Sequence, residues 1–210
     1  MKFCLQVARR TVEIQTDLID ESAFAPDYIC KSECPDLIIE LYIKDDIDNQ
    51  LHQYTSTIIG GRRKTFMEID VHSVKLKIHE MLSSAIINCD TFMMHGAVVA
   101  YKEKAYIFTA PSGTGKTTHV RKWLDNLPDA FVVNGDKPFI ITGDTPMACG
   151  SPWCGKERWQ TNTQVPLAAI VLMERGEENE IREISFKEAF PGLLRQTYQP
   201  KETDKLIKTL

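Results

Sequence analysis

The sequence has no long apolar run, no excess of basic residues and little glycine or proline, and each absence excludes a class of protein. Its apolar runs are interrupted well before the roughly 18 residues that a membrane-spanning helix needs. The 25 Lys and Arg residues against 29 Asp and Glu give a net charge of −4, which argues against a broad nucleic-acid surface. With 11 Gly and 10 Pro among 210 residues, the chain is not collagen-like or of low complexity. We therefore expect neither a membrane nor a nucleic acid as a partner.

The first ten residues also lack the long apolar run of an export signal, so an exported protein is not expected. The six cysteines are then expected as free thiols in a reducing, cytoplasmic compartment. Cys30, Cys34, Cys149 and Cys154 offer an alternative, a four-thiolate zinc site. Neither pair has the two-residue spacing that is typical of zinc knuckles, so buried reduced cysteine is the preferred interpretation.

Residues 1–72 are predicted to form a small β-rich N-terminal region. Short apolar runs bounded by turn-type residues predict three strands, at residues 3–8, 11–16 and 36–43. The run Gly60-Gly61-Arg62-Arg63-Lys64 predicts an exposed turn, whose basic side chains are either solvated or contact an anionic partner.

The larger region, residues 73–210, is predicted to open with a bridging helix at residues 74–88. Its apolar side chains recur with helical spacing on one face: Val74, Ile78, Met81, Leu82 and Ala85. A strand at 96–101, a charged turn at 102–104 and a strand at 105–109 follow, close enough to form a hairpin.

Further strand and helix patterns follow in the second half of the chain. Residues 165–174 form a nearly continuous apolar run, which predicts a central strand covered on both faces. Ser185 and Glu188 have the spacing of a capping box and predict the start of a helix. Pro191-Gly192 would kink or split that helix, and a last helix is predicted at residues 203–210. The overall pattern predicts an α/β fold.

A glycine-rich loop carries the clearest chemical motif, Ala110-Pro111-Ser112-Gly113-Thr114-Gly115-Lys116-Thr117-Thr118. It is a Walker A loop with alanine in place of the usual first glycine, and Ser112 to Thr118 are the predicted nucleotide-binding residues. Gly113 and Gly115 let backbone N–H groups converge on phosphate oxygens, and the following helix points its positive pole at the same anion. Lys116 reaches the β- and γ-phosphates, and the Thr117 hydroxyl can ligate Mg²⁺.

The context of this loop agrees with the motif, because an apolar strand precedes it and an amphipathic helical segment follows it. We therefore expect the chain to bind a nucleoside triphosphate. Asp136 comes directly after another apolar run, residues 130–133. At the carboxyl end of its strand it would hold Mg²⁺ beside the phosphates; the alternative is a simple turn residue.

Two further places carry candidate catalytic side chains. His95 precedes the predicted hairpin and is either a structural or a catalytic histidine. Gly150 and Gly155 bracket a bend that leads directly to Lys156 and Arg158. A cation delivered from such a loop would stabilise a transferring phosphoryl group, and Lys156 is preferred over Arg158 for this role. The alternative is a solvated surface turn.

Together these motifs resemble the catalytic core of HPr kinase/phosphorylase and, more broadly, the phosphoenolpyruvate carboxykinase type of P-loop fold. The resemblance rests on His95-Gly96, the hairpin, the loop through Thr118 and the strand that leads to Asp136. The chain is more similar still to stand-alone HPr-kinase-like proteins encoded beside peptide-modification genes in bacteria, which include kinases of lasso-peptide precursors. The matching segments lie within residues 92–200 and include 133–138, 150–156 and 166–170.

This resemblance implies a P-loop core with a mixed sheet, in which Lys116 and Thr117 hold ATP and Mg²⁺. Asp136 matches the second of two adjacent acids that serve metal binding and proton removal from the acceptor serine. Gly135 replaces the first, so the general base is either Asp136 alone or Asp136 assisted by His95. Related proteins continue with a further helix and a closing strand. We therefore expect a short version of the fold, or its completion by a partner chain or a second copy.

The leading hypothesis is an ATP- and Mg²⁺-dependent kinase that phosphorylates Ser or Thr on a peptide or small protein. One alternative is a small-molecule kinase of the same fold, and another is a non-catalytic nucleotide-sensing module. The missing first acid at Gly135 favours the module, whereas Asp136 and His95 together disfavour it. Phosphoenolpyruvate carboxykinase activity is not expected, because the chain is far shorter than those enzymes and lacks their substrate-binding segments.

Overall fold

A computed structural model describes residues 1–42, 52–59 and 62–209 of the chain. Three of the predicted features extend beyond these residues. The last residue of the strand predicted at 36–43, the Gly60-Gly61 pair of the predicted turn and the final residue of the predicted C-terminal helix lie outside the described part. In its described residues the chain is a mixed α/β protein.

The chain divides into two units. The smaller comprises Met1–Gln6 with Arg10–Leu82, and the larger comprises Val7–Arg9 with Ser83–Leu210. The boundary predicted between residues 72 and 73 remains a prediction.

A four-stranded sheet forms the small β-rich N-terminal part, with its strands in the order β3-β1-β2-β4. Their bounds are Lys2–Val7 for β1, Arg10–Thr16 for β2, Ile29–Cys30 for β3 and Leu37–Leu41 for β4. β3 pairs antiparallel with β1, and β4 pairs parallel with β2. In β2 the residues Val12, Ile14 and Thr16 are completely buried, which is the alternation that a strand with one covered face requires. In β1 the three consecutive residues Phe3, Cys4 and Leu5 are buried.

An antiparallel pair of strands, β5 (His52–Ile59) and β6 (Arg62–Ile69), was not predicted. The prediction of a turn over residues 60–64 is wrong for Arg62, Arg63 and Lys64, because these residues begin β6. A Gly-Gly pair between two segments of this length is itself a hairpin signal in sequence.

Helix α1 spans Val71–Ala85 and begins three residues before the predicted bridging helix. The start is fixed by Asp70, whose carboxylate accepts the backbone N–H groups of His72 at 3.1 Å and Ser73 at 3.2 Å. The predicted apolar face is largely confirmed, since Val74, Ile78 and Leu82 are completely buried. A 3₁₀ turn, Ile86–Cys89, takes the place of the last predicted helical turn.

The larger unit is built on a seven-stranded mixed sheet, in the order β10-β8-β9-β13-β12-β11-β7. The strands are β7 Thr91–Met93, β8 Ala97–Tyr101, β9 Lys104–Thr109, β10 Phe131–Asn134, β11 Phe139–Ile141, β12 Met147–Cys149 and β13 Gln164–Leu172. The predicted hairpin is confirmed as the β8–β9 pair. Its turn places Lys102 and Glu103 at φ 48° and 61°, the left-handed conformation that a two-residue hairpin turn demands.

β13 is a central strand, as predicted, and lies between β9 and β12. In its second half Ile170 packs against the buried cluster on one face of the sheet and Val171 against the cluster on the other face. The predicted coverage on both faces is therefore found in that half, whereas Pro166 and Ala168 in the first half are exposed.

Three helices follow in the larger unit: α2 Lys116–Asn126, α3 Phe186–Gln196 and α4 Thr203–Thr209. The predicted start of α3 is confirmed, because the Ser185 hydroxyl accepts the backbone N–H of Glu188 at 3.3 Å. Among the described residues no helix combines the length and the apolar character needed to cross a membrane.

α3 continues through Pro191 and Gly192 instead of being split there. Pro191 is exposed, so water can bond the Lys187 carbonyl that loses its helical partner. Gly192 gives the helix a close approach to the sheet, since a Cβ at this position would lie 3.2 Å from Leu172 Cδ1.

Candidate active site

One edge of the seven-stranded sheet collects most of the predicted site residues. β9 and β13 are parallel, and β8 runs antiparallel to both β9 and β10. β9, β10 and β13 therefore end at the edge where β8 begins. The glycine-rich loop follows β9, Asp136 follows β10, and His95 precedes β8.

The glycine-rich loop contains two glycines in the left-handed region of backbone conformation. Gly113 and Gly115 have φ values of +80° and +119°, which other residues adopt only with strain. No heavy atom lies within 4 Å of the position that a Cβ would take at either glycine. Gly115 is the N-cap of α2, and no side chain caps this helix. The first N–H groups of α2 are thus left for an external acceptor.

Lys116, the first residue of α2, folds its side chain back over the loop. Its ammonium group donates to the carbonyl oxygens of Ala110 at 2.7 Å and Pro111 at 3.3 Å. Burial lowers the pKa of the Lys116 amine, and the negative charge of Asp136 opposes this shift. The positive charge of Lys116 thus lies close enough to Asp136 for the carboxylate to favour the charged amine.

Asp136 is the centre of a charged cluster. Its Oδ1 lies 3.2 Å from His95 Nε2, and its Oδ2 accepts a hydrogen bond from Lys137 Nζ at 2.7 Å. Burial alone would raise the pKa of the Asp136 carboxyl, but the hydrogen bonds from His95 and Lys137 outweigh it and hold the pKa well below its usual range. Asp136 is therefore ionised at neutral pH and carries a negative charge at the sheet edge.

His95 is anchored on both sides of its ring. Because a carboxylate only accepts, Nε2 carries a proton in the contact with Asp136. Nδ1 lies 3.0 Å from Oε1 of Gln196, the last residue of α3. The backbone of His95 is also fixed, since its N–H donates to the Gln196 carbonyl at 2.7 Å and its carbonyl accepts the Thr109 hydroxyl at 2.7 Å. His95 is thus positioned to orient Asp136.

A buried amide, Asn134, shapes the turn that carries Asp136. Its Oδ1 accepts the backbone N–H groups of Asp136 at 2.9 Å and Lys137 at 2.7 Å. Its Nδ2 donates to the Ser151 carbonyl at 3.0 Å. Asn134 is completely buried, so these bonds are expensive to break, and they tie the Asp136 turn to the loop that contains Lys156.

The loop of Lys156 passes directly beside Asp136. A Cβ at Gly155 would lie 3.6 Å from Asp136 Cβ. The loop is tied to α2, because Glu157 lies 3.8 Å from Arg121, whose guanidinium also stands over the Trp159 ring at 5.6 Å. Lys156 is exposed, and its side chain has no hydrogen-bond or salt-bridge partner in the part of the chain that is described.

Arg158 is the second cation that the sequence proposes in this loop. Its side chain is exposed, and its backbone has φ +55° and donates its N–H to the Gly155 carbonyl at 3.0 Å. It therefore closes the turn that presents Lys156.

The glycine that precedes Asp136 has a packing reason. Gly135 donates its N–H to the Trp159 carbonyl at 2.9 Å. A Cβ at this position would lie 3.3 Å from Trp159 Cβ and 3.4 Å from its carbonyl oxygen. A carboxylate-bearing residue at this position would have to displace the Trp159 segment.

Three residues that the sequence analysis did not single out belong to this edge: Lys137, Gln196 and Arg175. Lys137 is adjacent to Asp136 in sequence, so a cation beside a proposed metal ligand could have been noticed. Arg175 follows β13 and donates from Nη2 to the Gly113 carbonyl at 2.7 Å. No sequence pattern connects Gln196 with His95, since 101 residues separate them.

No group of three or more His, Cys, Asp or Glu side chains among the described residues is arranged to hold a metal ion. The alternative four-cysteine zinc site is therefore not formed by residues of the described part. Cys4 and Cys149 are buried free thiols, as the preferred interpretation has it, whereas Cys34 is exposed. Burial raises the pKa of the Cys149 thiol to about 12.

The charged cluster predicts a pH-dependent stability. We expect Asp136→Asn to lower the free energy of unfolding at pH 7 by about 1–2 kcal/mol, because the ionised carboxylate is stabilised by His95 and Lys137. The folded-state pKa of Asp136 lies below its unfolded value. This stabilisation is therefore complete above about pH 4 and is lost as the pH falls toward the folded value. Urea unfolding of both proteins from pH 7 downward measures the difference, and a constant difference below pH 4 would contradict the linkage.

The sequence was also compared with known proteins. No protein-family model matches the chain, and no curated protein matches it at a significant level.

Proposed function

We propose that this chain is an ATP- and Mg²⁺-dependent P-loop kinase, similar to HPr kinase/phosphorylase, that phosphorylates a Ser or Thr hydroxyl of a peptide or small protein. The observation that carries the proposal is the glycine-rich loop at the uncapped start of α2, in which Gly113 and Gly115 adopt positive φ. Asp136, which follows the neighbouring strand β10, is kept ionised by its contacts with His95 and Lys137.

The residues present fit a nucleoside triphosphate. The open space beside Gly113 and Gly115 and the uncapped N-terminus of α2 suit a phosphate chain. Lys116 bonds only to neutral carbonyls in this structure, and a phosphate oxygen is a stronger acceptor for its ammonium group. We therefore assign phosphate binding to Ser112 through Thr118.

The same edge also fits Mg²⁺, which prefers oxygen ligands and is commonly held by one or two carboxylates together with substrate phosphates. Asp136 and the Thr117 hydroxyl are the proposed ligands. When bound, the ion would neutralise part of the phosphate charge. Asp136 is suited to this role because His95 and Lys137 keep it ionised.

Asp136, His95 and Lys156 have separate proposed roles in phosphoryl transfer. The lowered pKa of Asp136 makes it a weak proton acceptor, which suffices because phosphoryl transfer through a loose transition state depends chiefly on positioning and charge stabilisation. Both ring nitrogens of His95 are engaged, so His95 orients Asp136. Lys156, which follows Gly155 in the loop beside Asp136 and is unpaired within the described residues, is the proposed cation for the charge that develops during transfer.

The test of this proposal is label transfer from γ-labelled ATP, with Mg²⁺, to a degenerate library of Ser- and Thr-containing peptides. We expect labelled peptide, with mass spectrometry placing the phosphate on a hydroxyl side chain. A parallel pool of hydroxylated metabolites distinguishes the small-molecule kinase, which would label that pool alone. ATP binding without transfer to either pool would favour the nucleotide-sensing module and contradict the proposed kinase.

A further inference from the structure

Arg175 links the end of one strand to the phosphate loop that follows its neighbour. β13 and β9 are parallel with Leu172 opposite Thr109, and the N–H of Met173 donates to the Thr109 carbonyl at 2.9 Å. The pairing of β13 with β9 therefore continues to the last residue before the glycine-rich loop, and Arg175 follows two residues after Met173. There Arg175 Nη2 donates to the Gly113 carbonyl at 2.7 Å, a distance typical of a strong hydrogen bond.

The bond to Gly113 fixes more than one atom. The peptide that joins Gly113 to Thr114 is planar and trans, so its C=O and N–H point in opposite directions. A carbonyl held by Arg175 therefore turns the Thr114 N–H to the opposite side of the peptide. That N–H reaches the Pro111 carbonyl only at 3.4 Å, longer than an ordinary hydrogen bond, and can be given up to a stronger acceptor.

Gly113 is the point where such a restraint has the largest effect. Its φ is +80°, and no Cβ restricts its backbone, so the peptide that follows has more conformational freedom than after any other residue type. A freely rotating peptide would aim its N–H at the phosphate only part of the time. A hydrogen bond from outside the loop removes this freedom before the ligand arrives, which reduces the entropy that binding must overcome.

We propose that Arg175 is a positioning residue for phosphate binding, which holds the Gly113 peptide so that the Thr114 N–H is available to the anion. This inference rests on the phosphate-binding part of the proposed function, but it does not require phosphoryl transfer. Arg175 is exposed and makes one bond to a backbone carbonyl. Its loss should therefore affect ligand affinity much more than fold stability.

The experiment uses the full chain and inorganic pyrophosphate as the probe. Arg175→Met removes the donors while keeping an unbranched side chain. Arg195→Met is the matched control, because Arg195 is also exposed and donates to a single backbone carbonyl, that of Pro191 at 3.0 Å. We expect Arg175→Met to bind pyrophosphate about tenfold more weakly than the wild type. The Arg195→Met variant should bind it as the wild type does, and both variants should melt within about 2 °C of the wild type.

A second measurement separates positioning from a general loss of charge. In the wild type, the amide resonance of Thr114 should shift in a ¹⁵N–¹H spectrum when pyrophosphate is added at saturation, and in Arg175→Met this shift should be strongly reduced. The inference would be overturned if Arg175→Met bound pyrophosphate with wild-type affinity, or if its Thr114 resonance shifted as far as in the wild type when pyrophosphate is added. If the wild type binds pyrophosphate but transfers no phosphate, the proposed kinase activity is refuted. The role of Arg175 is then still tested by the pyrophosphate affinities of the two variants. A wild type that binds no pyrophosphate refutes both.

Discussion

Lys116→Ala is expected to reduce phosphoryl transfer by at least about 10²- to 10³-fold, the usual effect of removing one group that stabilises transition-state charge. The ammonium group of Lys116 is the cation of the loop, half-buried and aimed at the carbonyls of Ala110 and Pro111. Alanine leaves these carbonyls without the ammonium donor, but it leaves the glycine backbone conformations intact. The chain should therefore fold and lose its function.

Steady-state transfer of label from ATP, together with the thermal midpoint of each protein, measures this expectation. Lys122→Ala is the matched control, because Lys122 is an exposed lysine of the same helix, α2. The control should transfer phosphate at the wild-type rate. If Lys116→Ala transferred phosphate at more than about a tenth of the wild-type rate, the proposed role of Lys116 would be contradicted.

The phosphate loop illustrates the part of the site that can be predicted from sequence. Its chemistry requires glycines, a lysine and a hydroxyl at fixed spacing within a few residues. The structure agrees with the expected backbone conformation, since Gly113 and Gly115 both adopt positive φ. A local constraint of this kind is visible in a single sequence, because each of the interacting residues is a near neighbour of the others.

The partners that aim the side chains are not visible in this way. Gln196 meets His95 across 101 residues, and Arg175 meets Gly113 across 62. Each contact exists because two elements end at the same edge of the sheet, and the order of strands in that sheet is a property of the whole fold. Neither glutamine nor arginine at those positions carries a pattern that predicts its partner.

The same distinction explains the predictions of secondary structure. The prediction of α1 rests on apolar spacing that repeats over many residues, and the prediction of the β8–β9 hairpin rests on two apolar runs separated by a short charged turn. β7, β11 and β12 have three residues each, too few for an alternating pattern to be recognised. For β13 the apolar run correctly predicts a strand, but hydrophobicity alone does not reveal that Pro166 and Ala168 near its start are exposed.

Asp136 was predicted as a metal ligand from the strand that precedes it, whereas its electrostatic setting came only from the structure. Neighbouring Lys137 was not assigned a role, and His95 was left between a structural and a catalytic interpretation. The contacts of 2.7 Å and 3.2 Å that these two residues make with the carboxylate identify them as the groups that keep it charged. Substitution of Asp136 is therefore the most direct test of the proposed metal site.

Asp136→Asn is expected to lower phosphoryl transfer about 10³-fold, through the loss of one negative ligand and of the charge that orients the acceptor. Asparagine has the same shape, and its Oδ1 can still accept a hydrogen bond from His95. A neutral amide, however, is a much weaker partner for Lys137 and for Mg²⁺, which favours carboxylate oxygen. The affinity for ATP without Mg²⁺ should stay near the wild-type value, since the loop is untouched.

The decisive measurement is a calorimetric titration of ATP with and without Mg²⁺. In the wild type Mg²⁺ should strengthen binding, and in Asp136→Asn that gain should disappear. Asp125→Asn, an exposed carboxylate of α2, is the control and should keep both the gain and the transfer. A gain that survives in Asp136→Asn would remove the carboxylate from the metal site. If transfer were still lost, Asp136 would then act on the acceptor hydroxyl, because His95, with both ring nitrogens engaged, cannot take that role in its place.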